Sequence, residues 1–274
     1  MNPKQARMTQ VQNQMRTPNL SRYARQTSLP AFGVEGQALL GRSSVLVVGI
    51  GGLGSWVAEL LVRAGVGRIR LVDDDSVEIA NIHRQAMYTE DDAASHRLKI
   101  EAAAKRLHEI NSVVEIETVC ARLDGLTAED LMRDVDVVAD GTDNFESRFI
   151  LNDCAVKLAK PWVFAGIVGT KAQVMAIVPG ETPCLRCLMD GPPASDEPSG
   201  HSPNPVLGVA VAVTAALEAA EALKILSGRA ARIHRFLRVF DIWANTMKQI
   251  DVSPPRAGCP CCVHRHFEFL ERQA

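Results

Sequence analysis

The sequence has no hydrophobic run long enough to cross a bilayer. Its longest apolar stretch, residues 206–216, is too short for a membrane span, which needs about 20 residues, and it continues into Glu218 and Glu221. Residues 1–19 lack the apolar core of a secretion signal and are rich in Gln, Asn, Arg and Lys. We therefore expect a cytoplasmic protein without a membrane partner, preceded by a disordered arm at residues 1–20.

A strong charge imbalance and internal repeats are also missing. The 274 residues include 30 Lys and Arg against 32 Asp and Glu, which leaves a net charge of −2, and 47% of the residues are hydrophobic. A near-neutral surface gives no electrostatic reason to bind a polyanion, so a nucleic-acid partner is not expected. The length and composition predict one globular domain over residues 21–274, large enough for a substantial core.

The chain is organised around residues 45–54, where a short aliphatic run ends in glycines. Such a run is typical of a buried parallel strand, and Gly49, Gly51 and Gly54 form the pattern G-x-G-x-x-G with Gly52 inside it. Apolar residues at helical spacing follow in residues 55–64. A strand, a tight glycine turn and a helix N-terminus together favour binding of a nucleotide phosphate.

A second aliphatic strand, residues 68–72, ends in Asp73, nineteen residues after Gly54. An acidic residue at about this distance binds the ribose hydroxyls in dinucleotide-binding folds, so Asp73 is a candidate ribose ligand. The alternative is a purely structural glycine turn followed by a solvated acidic loop at Asp73, Asp74 and Asp75.

The remaining pattern alternates between strands and helices up to about residue 165. This order predicts an α/β fold with a Rossmann-like, doubly wound and mostly parallel sheet, whose ligands bind at the carboxyl ends of the strands. Strands are expected at residues 113–119, 135–139 and 162–165, and helices at 34–41, 96–110, 127–133 and 145–158. Past Gly169 we expect a crossover loop at 190–206, a helix at 206–226 and an antiparallel C-terminal extension with strands at 171–178, 238–243 and 246–252.

Four of the seven cysteines form two Cys-x-x-Cys pairs. Cys184 with Cys187 and Cys259 with Cys262 can supply four thiolates to a structural Zn²⁺, which would leave no coordination position for water. The alternatives are a coincidence of spacing or the use of Cys261, His264 or His266 as substitute ligands. A zinc tail at residues 253–266 would hold the C-terminal part of the chain against its middle.

Polar residues near the strand ends indicate which reaction the nucleotide site could catalyse. Asp73, Asn81, Arg84, Lys99 and Asp143 are amide or charged groups next to expected strand ends or following helices. Hydride transfer needs a flat slot for a nicotinamide ring, whereas nucleotidyl transfer needs cations to neutralise phosphate charge and a carboxylate for Mg²⁺. The set therefore favours triphosphate chemistry, although each residue alone could be a solvated surface group or a helix N-cap.

Several motifs occur in one order along residues 20–265, and together they resemble the ThiF/MoeB/HesA family, in particular its molybdopterin-synthase and sulfur-carrier-protein adenylyltransferases. These motifs are Arg22-Tyr23-Ala24-Arg25-Gln26, the glycine turn, Asp73-x-Asp75, Asn81-x-x-Arg84-Gln85, Thr142-Asp143-Asn144 and the two Cys-x-x-Cys pairs. The resemblance implies a homodimer that uses ATP and Mg²⁺ to adenylate the C-terminal glycine of a small ubiquitin-like sulfur-carrier protein ending in Gly-Gly.

The resemblance also implies roles for single residues. Gly49, Gly51, Gly52 and Gly54 would lie beneath the nucleotide, and Asp73 and Asp75 would lie beside it. Asn81, Arg84 and Lys99 would bind the phosphates, and Asp143 would coordinate Mg²⁺. Arg25 would reach the triphosphate of the other subunit.

One departure from the family pattern concerns sulfur transfer. Many members carry a cysteine in the loop that corresponds to residues 195–207, and this sequence has none there. Cys120 and Cys154 are expected to be small core residues rather than nucleophiles. We therefore expect the enzyme to stop at the carrier acyl-AMP and to leave sulfur transfer to a separate sulfur donor.

Three other classes of function remain open from the sequence, of which one is a catalytically silent scaffold or interaction partner, although the complete motifs argue against it. The second is an adenylating enzyme that acts on a peptide C-terminus or in tRNA modification. The third is an NAD-dependent oxidoreductase that uses the same glycine turn.

Overall fold

The computed structural model describes residues 21–192 and 205–271. The arm expected at residues 1–20 and most of the crossover loop, residues 193–204, lie outside this range. At the centre is an eight-stranded sheet in the order β3-β2-β1-β4-β5-β6-β7-β8. The strands are β1 (Ser44–Val48), β2 (Arg68–Val72), β3 (Glu115–Val119), β4 (Val137–Asp140), β5 (Trp162–Val168), β6 (Lys171–Ile177), β7 (Leu237–Asp241) and β8 (Thr246–Ile250).

The first five strands are parallel and the last three are antiparallel. β1 pairs with β2 and β4 in parallel register, while β5, β6, β7 and β8 pair as an antiparallel run. The expected doubly wound sheet with an antiparallel C-terminal extension is therefore confirmed. The order reverses between β1 and β4, which is where such sheets open a ligand crevice at the strand ends.

Ten α-helices accompany the sheet within the described ranges. They are α1 (Ala24–Thr27), α2 (Gly33–Leu40), α3 (Gly52–Ala64), α4 (Glu90–Ala94), α5 (Lys99–Ile110), α6 (Ala128–Met132), α7 (Phe145–Lys157), α8 (Leu185–Leu188), α9 (Gly208–Leu226) and α10 (Glu268–Glu271). Helices α3, α5 and α9 cover one face of the sheet, and α6 and α7 cover the other. Within the residues described, none of these helices combines the length and the apolar character that a membrane crossing requires.

Strand β1 shows why the sheet is covered on both faces. Every residue of β1 is buried. Val45 and Val47 pack in the core under α3, α5 and α9, whereas Leu46 and Val48 pack in the core under α6 and α7. A strand buried on both faces must be apolar at every position, which explains the uninterrupted aliphatic run in the sequence.

The region before α5 differs from expectation. The sequence predicted a helix from about residue 96, but α5 begins at Lys99, and a separate short helix, α4, precedes it. Thr89 and Asp92 form a capping box at the start of α4. The chain then breaks at His96, whose φ of 47° is incompatible with a continuing right-handed helix.

The C-terminal tail packs onto α7. The ring of Phe269 in α10 stacks on Phe149 at 4.7 Å between centroids, and the Phe269 backbone N donates to the Asp153 carboxylate at 3.1 Å. Cys184, Cys259 and Phe269 belong to the same buried cluster as the core of α7. The tail therefore completes one face of the core.

Candidate functional site

A cavity of about 340 Å³ opens at the carboxyl ends of β1, β2 and β4. Its position at the reversal of strand order matches the ligand crevice of doubly wound folds. Residues from the glycine turn, the acidic loop after β2, the start of α5, the segment after β3 and the start of α7 line it. They are Val48, Gly49, Gly51, Gly52, Val72, Asp73, Asp74, Asp75, Gln85, Lys99, Ala121, Arg122, Leu123, Gly141, Thr142, Asp143, Asn144 and Ser147.

The glycine turn brings three backbone segments into close contact. Gly49 adopts a φ of +79°, and its carbonyl oxygen would lie 1.9 Å from a Cβ at either Gly54 or Gly141. Gly49, Gly51 and Gly52 line the cavity, but Gly54 does not. Gly54 therefore permits the approach of α3 to β1, and Gly141, which the sequence reading missed, permits the approach of the loop after β4.

We expect Gly54→Ala to prevent stable folding of the site, because the new methyl group would overlap the Gly49 carbonyl. A backbone clash of this kind costs at least about 3 kcal/mol, which would appear as a lower midpoint in chemical denaturation. Gly191→Ala is the control, since an added Cβ there meets no atom within 4 Å. Equal midpoints for the two variants would contradict this role of Gly54.

Asp73 links the second strand to the glycine turn. The residue is only 9% exposed; Oδ2 accepts a hydrogen bond from the Ile50 backbone N at 2.6 Å, and Oδ1 accepts one from the Asp75 N at 2.8 Å. Burial raises the pKa of Asp73, and the positive charge of Lys99 opposes that rise. A carboxylate has about four lone-pair sites, so Asp73 can hold the turn and still accept hydrogen bonds from ribose hydroxyls.

Lys99 is the first residue of α5 and lies at the cavity wall. Its Nζ contacts Asp75 Oδ2 at 2.6 Å, and the residue is only 6% exposed. Asp73, Asp74 and Asp75 each place one carboxylate oxygen within 4.8 Å of those of the other two. A buried cation beside this cluster can neutralise phosphate charge, and the oxygens are of the kind that Mg²⁺ prefers.

Asp143 lies between the end of β4 and the start of α7. It is exposed and lines the cavity, so its carboxylate is accessible to a cation. Next to it, Asn144 caps α7 by accepting a hydrogen bond from the Ser147 N at 2.9 Å. The N-termini of α3, α5 and α7 all border the cavity, and their dipoles favour an anion such as a polyphosphate.

Besides Gly54, three of the candidate residues lie outside the cavity lining. Asn81 is buried, and its Oδ1 accepts from Arg84 Nη2 at 3.2 Å. Arg84 Nη1 donates to the Ala80 carbonyl at 2.8 Å, so its guanidinium is held by its own loop. Arg25 lies on α1, is exposed, and does not line the cavity of its own chain. The structure therefore brings Asp73, Asp75, Lys99, Asp143 and the turn together without these three.

Sequence reasoning gave no role to several residues of the lining. Gln85 is 5% exposed, and its Oε1 is buried with no hydrogen-bond partner among the described residues. An unpaired buried acceptor at a cavity wall is a candidate ligand-binding atom. Its place in the Asn81-x-x-Arg84-Gln85 motif was the available signal, whereas no pattern marked Arg122, Leu123 or Ser147.

The two Cys-x-x-Cys pairs meet in space, as expected. The Sγ atoms lie 3.4 Å apart for Cys187 and Cys262, 3.6 Å for Cys184 and Cys259, and 4.0 Å for Cys184 and Cys187. Tetrahedral Zn²⁺ with bonds of about 2.3 Å requires sulfur separations of about 3.8 Å. All four cysteines are free of disulfides, and their geometry fits one zinc ion.

The other cysteines behave differently from one another. Cys154 is buried, which confirms it as a core residue, and burial raises its pKa to about 12. The expectation that Cys120 is a core residue is wrong, because it is exposed after the edge strand β3, which has only one strand neighbour. Cys261 is buried beside the cluster, and its Sγ accepts from Asn152 Nδ2 at 3.3 Å.

Comparison with known proteins identifies relatives along most of the chain. The model of the ThiF family matches residues 23–261. The chain is 37% identical over 253 residues to the sulfur carrier protein ThiS adenylyltransferase of Bacillus subtilis, covering 91% of this chain and 73% of that protein. It is 41% identical over 249 residues to the sulfur carrier protein adenylyltransferase of Thermus thermophilus, covering 89% and 90% of the two chains.

Solved structures share the fold. A crystal structure of E. coli MccB with MccA-N7isoASN superposes with a TM-score of 0.80 at 22% identity, covering 91% of this chain and 76% of that one. At this identity the likeness extends to the architecture alone.

Proposed function

This chain belongs to the ThiF family, and we propose that it uses ATP and Mg²⁺ to adenylate the C-terminal glycine of a small ubiquitin-like sulfur-carrier protein. It is an adenylyltransferase, as are relatives that match it over most of both chains. The use of ATP, the use of Mg²⁺ and the formation of an acyl adenylate are what we propose beyond this. The observation that carries them is that Lys99 and Asp143 face the same cavity as the glycine turn.

The chemistry needs charge neutralisation more than a base. The carrier carboxylate is already ionised, and its oxygen attacks the α-phosphorus of ATP. A carboxylate–phosphorus bond forms, the bond between the α- and β-phosphates breaks, and pyrophosphate leaves with the electron pair. Two anions must approach each other, so the site has to align them and stabilise the negative charge that develops.

Residues of the cavity can fulfil these requirements. The Gly51 and Gly52 backbone and the start of α3 would hold the phosphates, and Asp73 would orient the ribose. Lys99 would balance charge on the departing pyrophosphate. Mg²⁺, when bound by Asp143, would neutralise phosphate oxygens. Asn81 and Arg84 would join the phosphate site after the Arg84 guanidinium turns away from the Ala80 carbonyl.

The carrier body needs a surface outside the cavity, and the β7–β8 hairpin is suited to it. Trp243, Met247 and Ile250 are 80%, 61% and 44% exposed on this sheet edge. Asp241 Oδ1 fixes the hairpin by accepting from Thr170 Oγ1 at 2.8 Å and from the Trp243 N at 3.1 Å. An exposed tryptophan on a turn whose backbone is held in place is typical of a protein-binding surface.

The absence of a cysteine from residues 195–207 supports a reaction that ends at the acyl-AMP. A thioester or acyl disulfide needs a thiolate beside the carrier C-terminus. We therefore assign sulfur transfer to a separate donor protein.

Intact-mass spectrometry of the carrier tests the proposed reaction. Incubation with the enzyme, ATP and Mg²⁺ should increase the mass of a Gly-Gly-ending carrier by one adenylyl group, which is AMP less one water, and a carrier lacking its terminal glycine should not shift. If no Gly-Gly-ending carrier shifts with folded enzyme, the proposed substrate is wrong.

We further propose that the enzyme is a homodimer in which Arg25 acts on the partner's nucleotide. In support, Arg25 is exposed and lies outside the cavity of its own chain. Arg25→Ala and Asp143→Ala chains should each be inactive alone, whereas co-expressed, differently tagged chains should regain activity because a mixed dimer contains one intact site. Activity no higher than that of the separate variants would contradict action across the dimer.

A further inference from the structure

Helix α9 carries a carboxyl group into the interior of the protein. Glu218 has no exposed surface, and its helical neighbours Ala215, Ala219 and Ala222 are apolar residues of the core. Burying a carboxyl group is unfavourable unless it is hydrogen-bonded, so this position demands a specific partner. The catalytic proposal above does not use Glu218.

The partner of Glu218 is the last residue of β4. Glu218 Oε1 accepts a hydrogen bond from the Asp140 backbone N at 2.8 Å. The pairing of β4 with β5 ends at Ala139, so this N–H has no strand neighbour on that side. The Glu218 side chain therefore supplies the hydrogen-bond acceptor that β5 does not provide for the Asp140 N.

Asp140 in turn holds Thr142, the residue before Asp143, through its side chain. Its Oδ1 accepts from the Thr142 N at 3.0 Å and from Thr142 Oγ1 at 2.6 Å, and its Oδ2 accepts from Arg148 Nε at 3.0 Å. Arg148 Nη2 in turn donates to the Thr142 carbonyl at 2.7 Å. Both polar groups of the Thr142 backbone are thus fixed, and the direction of Asp143 is fixed with them.

The cluster contains two buried carboxyl groups, those of Glu218 and Asp140. Burial, reinforced by the negative charge of Asp140, raises the pKa of Glu218 well above its ordinary value. Burial also raises the pKa of Asp140, and the positive charge of Arg148, whose Nε lies 3.0 Å from Asp140 Oδ2, opposes that rise. In this geometry Glu218 contributes an oxygen that accepts a hydrogen bond from the Asp140 N, whereas Asp140 is the carboxyl group paired with a cation.

Helix α9 reaches two other parts of the site. Gly208, its first residue, lies so close to the 83–84 loop that an added Cβ would be 2.5 Å from the His83 carbonyl oxygen. Val211 Cγ1 would lie 3.3 Å from a Cβ on Gly52 in the glycine turn. α9 also follows directly on the crossover segment. It is therefore a common support for three segments around the nucleotide cavity.

We propose that Glu218 is a positioning residue that holds the end of β4, and with it Asp143, in register with α9. The catalytic consequence rests on the proposed function, because it requires Asp143 to act on a bound nucleotide. The role depends on one oxygen acceptor at the Asp140 N–H. Glutamine supplies that acceptor, whereas methionine, of similar length, does not.

Two measurements on Glu218→Gln and Glu218→Met test the proposal. Hydrogen exchange followed by mass spectrometry should be faster in E218M than in wild type for peptides covering residues 140–144, and unchanged in E218Q. In pyrophosphate exchange, E218M should lose about tenfold in rate and need more Mg²⁺ for half-maximal activity, while E218Q stays close to wild type. Glu221→Gln is the control, since this buried acid of the same helix contacts Lys224 and the His234 N instead.

The outcomes separate the positioning role from the proposed function. Two results would overturn the proposal. One is unchanged hydrogen exchange at residues 140–144 in E218M, and the other is an equal loss of pyrophosphate-exchange rate in E218Q and E218M. If hydrogen exchange is faster in E218M but the wild-type protein adenylates no carrier, the positioning role is upheld and the proposed function is wrong. If E218M does not fold, Glu218→Ala gives the same test because it also removes the acceptor.

Discussion

Asp143→Ala is expected to reduce adenylate formation at least about a hundredfold, which corresponds to about 2.7 kcal/mol of transition-state stabilisation. The reason is the loss of the carboxylate that would hold Mg²⁺ at the cavity wall. The fold should remain intact, because Asp143 is exposed and its side-chain hydrogen bond, at 3.3 Å, is to the neighbouring Asn144. Pyrophosphate release with carrier and saturating ATP measures the effect.

Glu146→Ala is the matched control for Asp143→Ala. Glu146 is also exposed and acidic and lies three residues further along, but it does not line the cavity. Its removal changes the net charge equally and should leave the rate close to that of wild type. Similar rates for Asp143→Ala and wild type would remove Asp143 from the metal site.

Cys184→Ser is expected to release bound zinc and to destabilise the whole chain. Cys184 belongs to the core cluster that also contains residues of α7, so loss of the metal would loosen the tail that covers this face of the sheet. We expect a cost of about 3–5 kcal/mol, or roughly 10 °C in thermal midpoint. Metal analysis should find about one zinc per wild-type chain and much less in the variant.

Cys120→Ser provides the control for the zinc prediction, because Cys120 is exposed and lies outside the cluster. It should keep both the metal and the thermal midpoint. A wild-type protein that is fully folded and contains no zinc would refute the structural role assigned to the four cysteines.

Much of the fold was predictable because its signals are local. Val45 and Val47 face one core and Leu46 and Val48 the other, so a parallel strand buried on both faces must read as an aliphatic run. Asp73 follows such a run at the expected distance from the glycine turn. The carboxyl ends of parallel strands meet at one edge, which is why Asp73 and Asp143 line the same cavity.

Features that depend on the approach of distant segments were not predictable. Gly141 is required because the Gly49 carbonyl approaches it, and no local pattern reports that contact. Glu218 looks like an ordinary solvated acid in the sequence, and only the packing of α9 against the end of β4 gives it a partner. Cys120 was misplaced because hydrophobic patterning does not reveal which strand forms the edge of a sheet.

Side-chain direction was a further limit. The positions of Asn81 and Arg84 in the sequence suggested phosphate ligands, but the Arg84 guanidinium bonds to its own loop, at the Ala80 carbonyl and at Asn81 Oδ1. A long flexible cation can turn toward an anion without backbone movement. Their role therefore stays a prediction.

Carrier-dependent exchange of labelled pyrophosphate into ATP tests the central claim most directly. Formation of a carrier acyl-AMP is reversible while pyrophosphate is present, so label should enter ATP only when the enzyme, Mg²⁺ and a carrier with an intact Gly-Gly terminus are combined. We predict exchange with one such carrier of the source organism and none with a carrier that lacks its terminal glycine. Exchange that does not depend on any carrier, or no exchange by the folded zinc-bound protein with every Gly-Gly-ending carrier, would contradict the account.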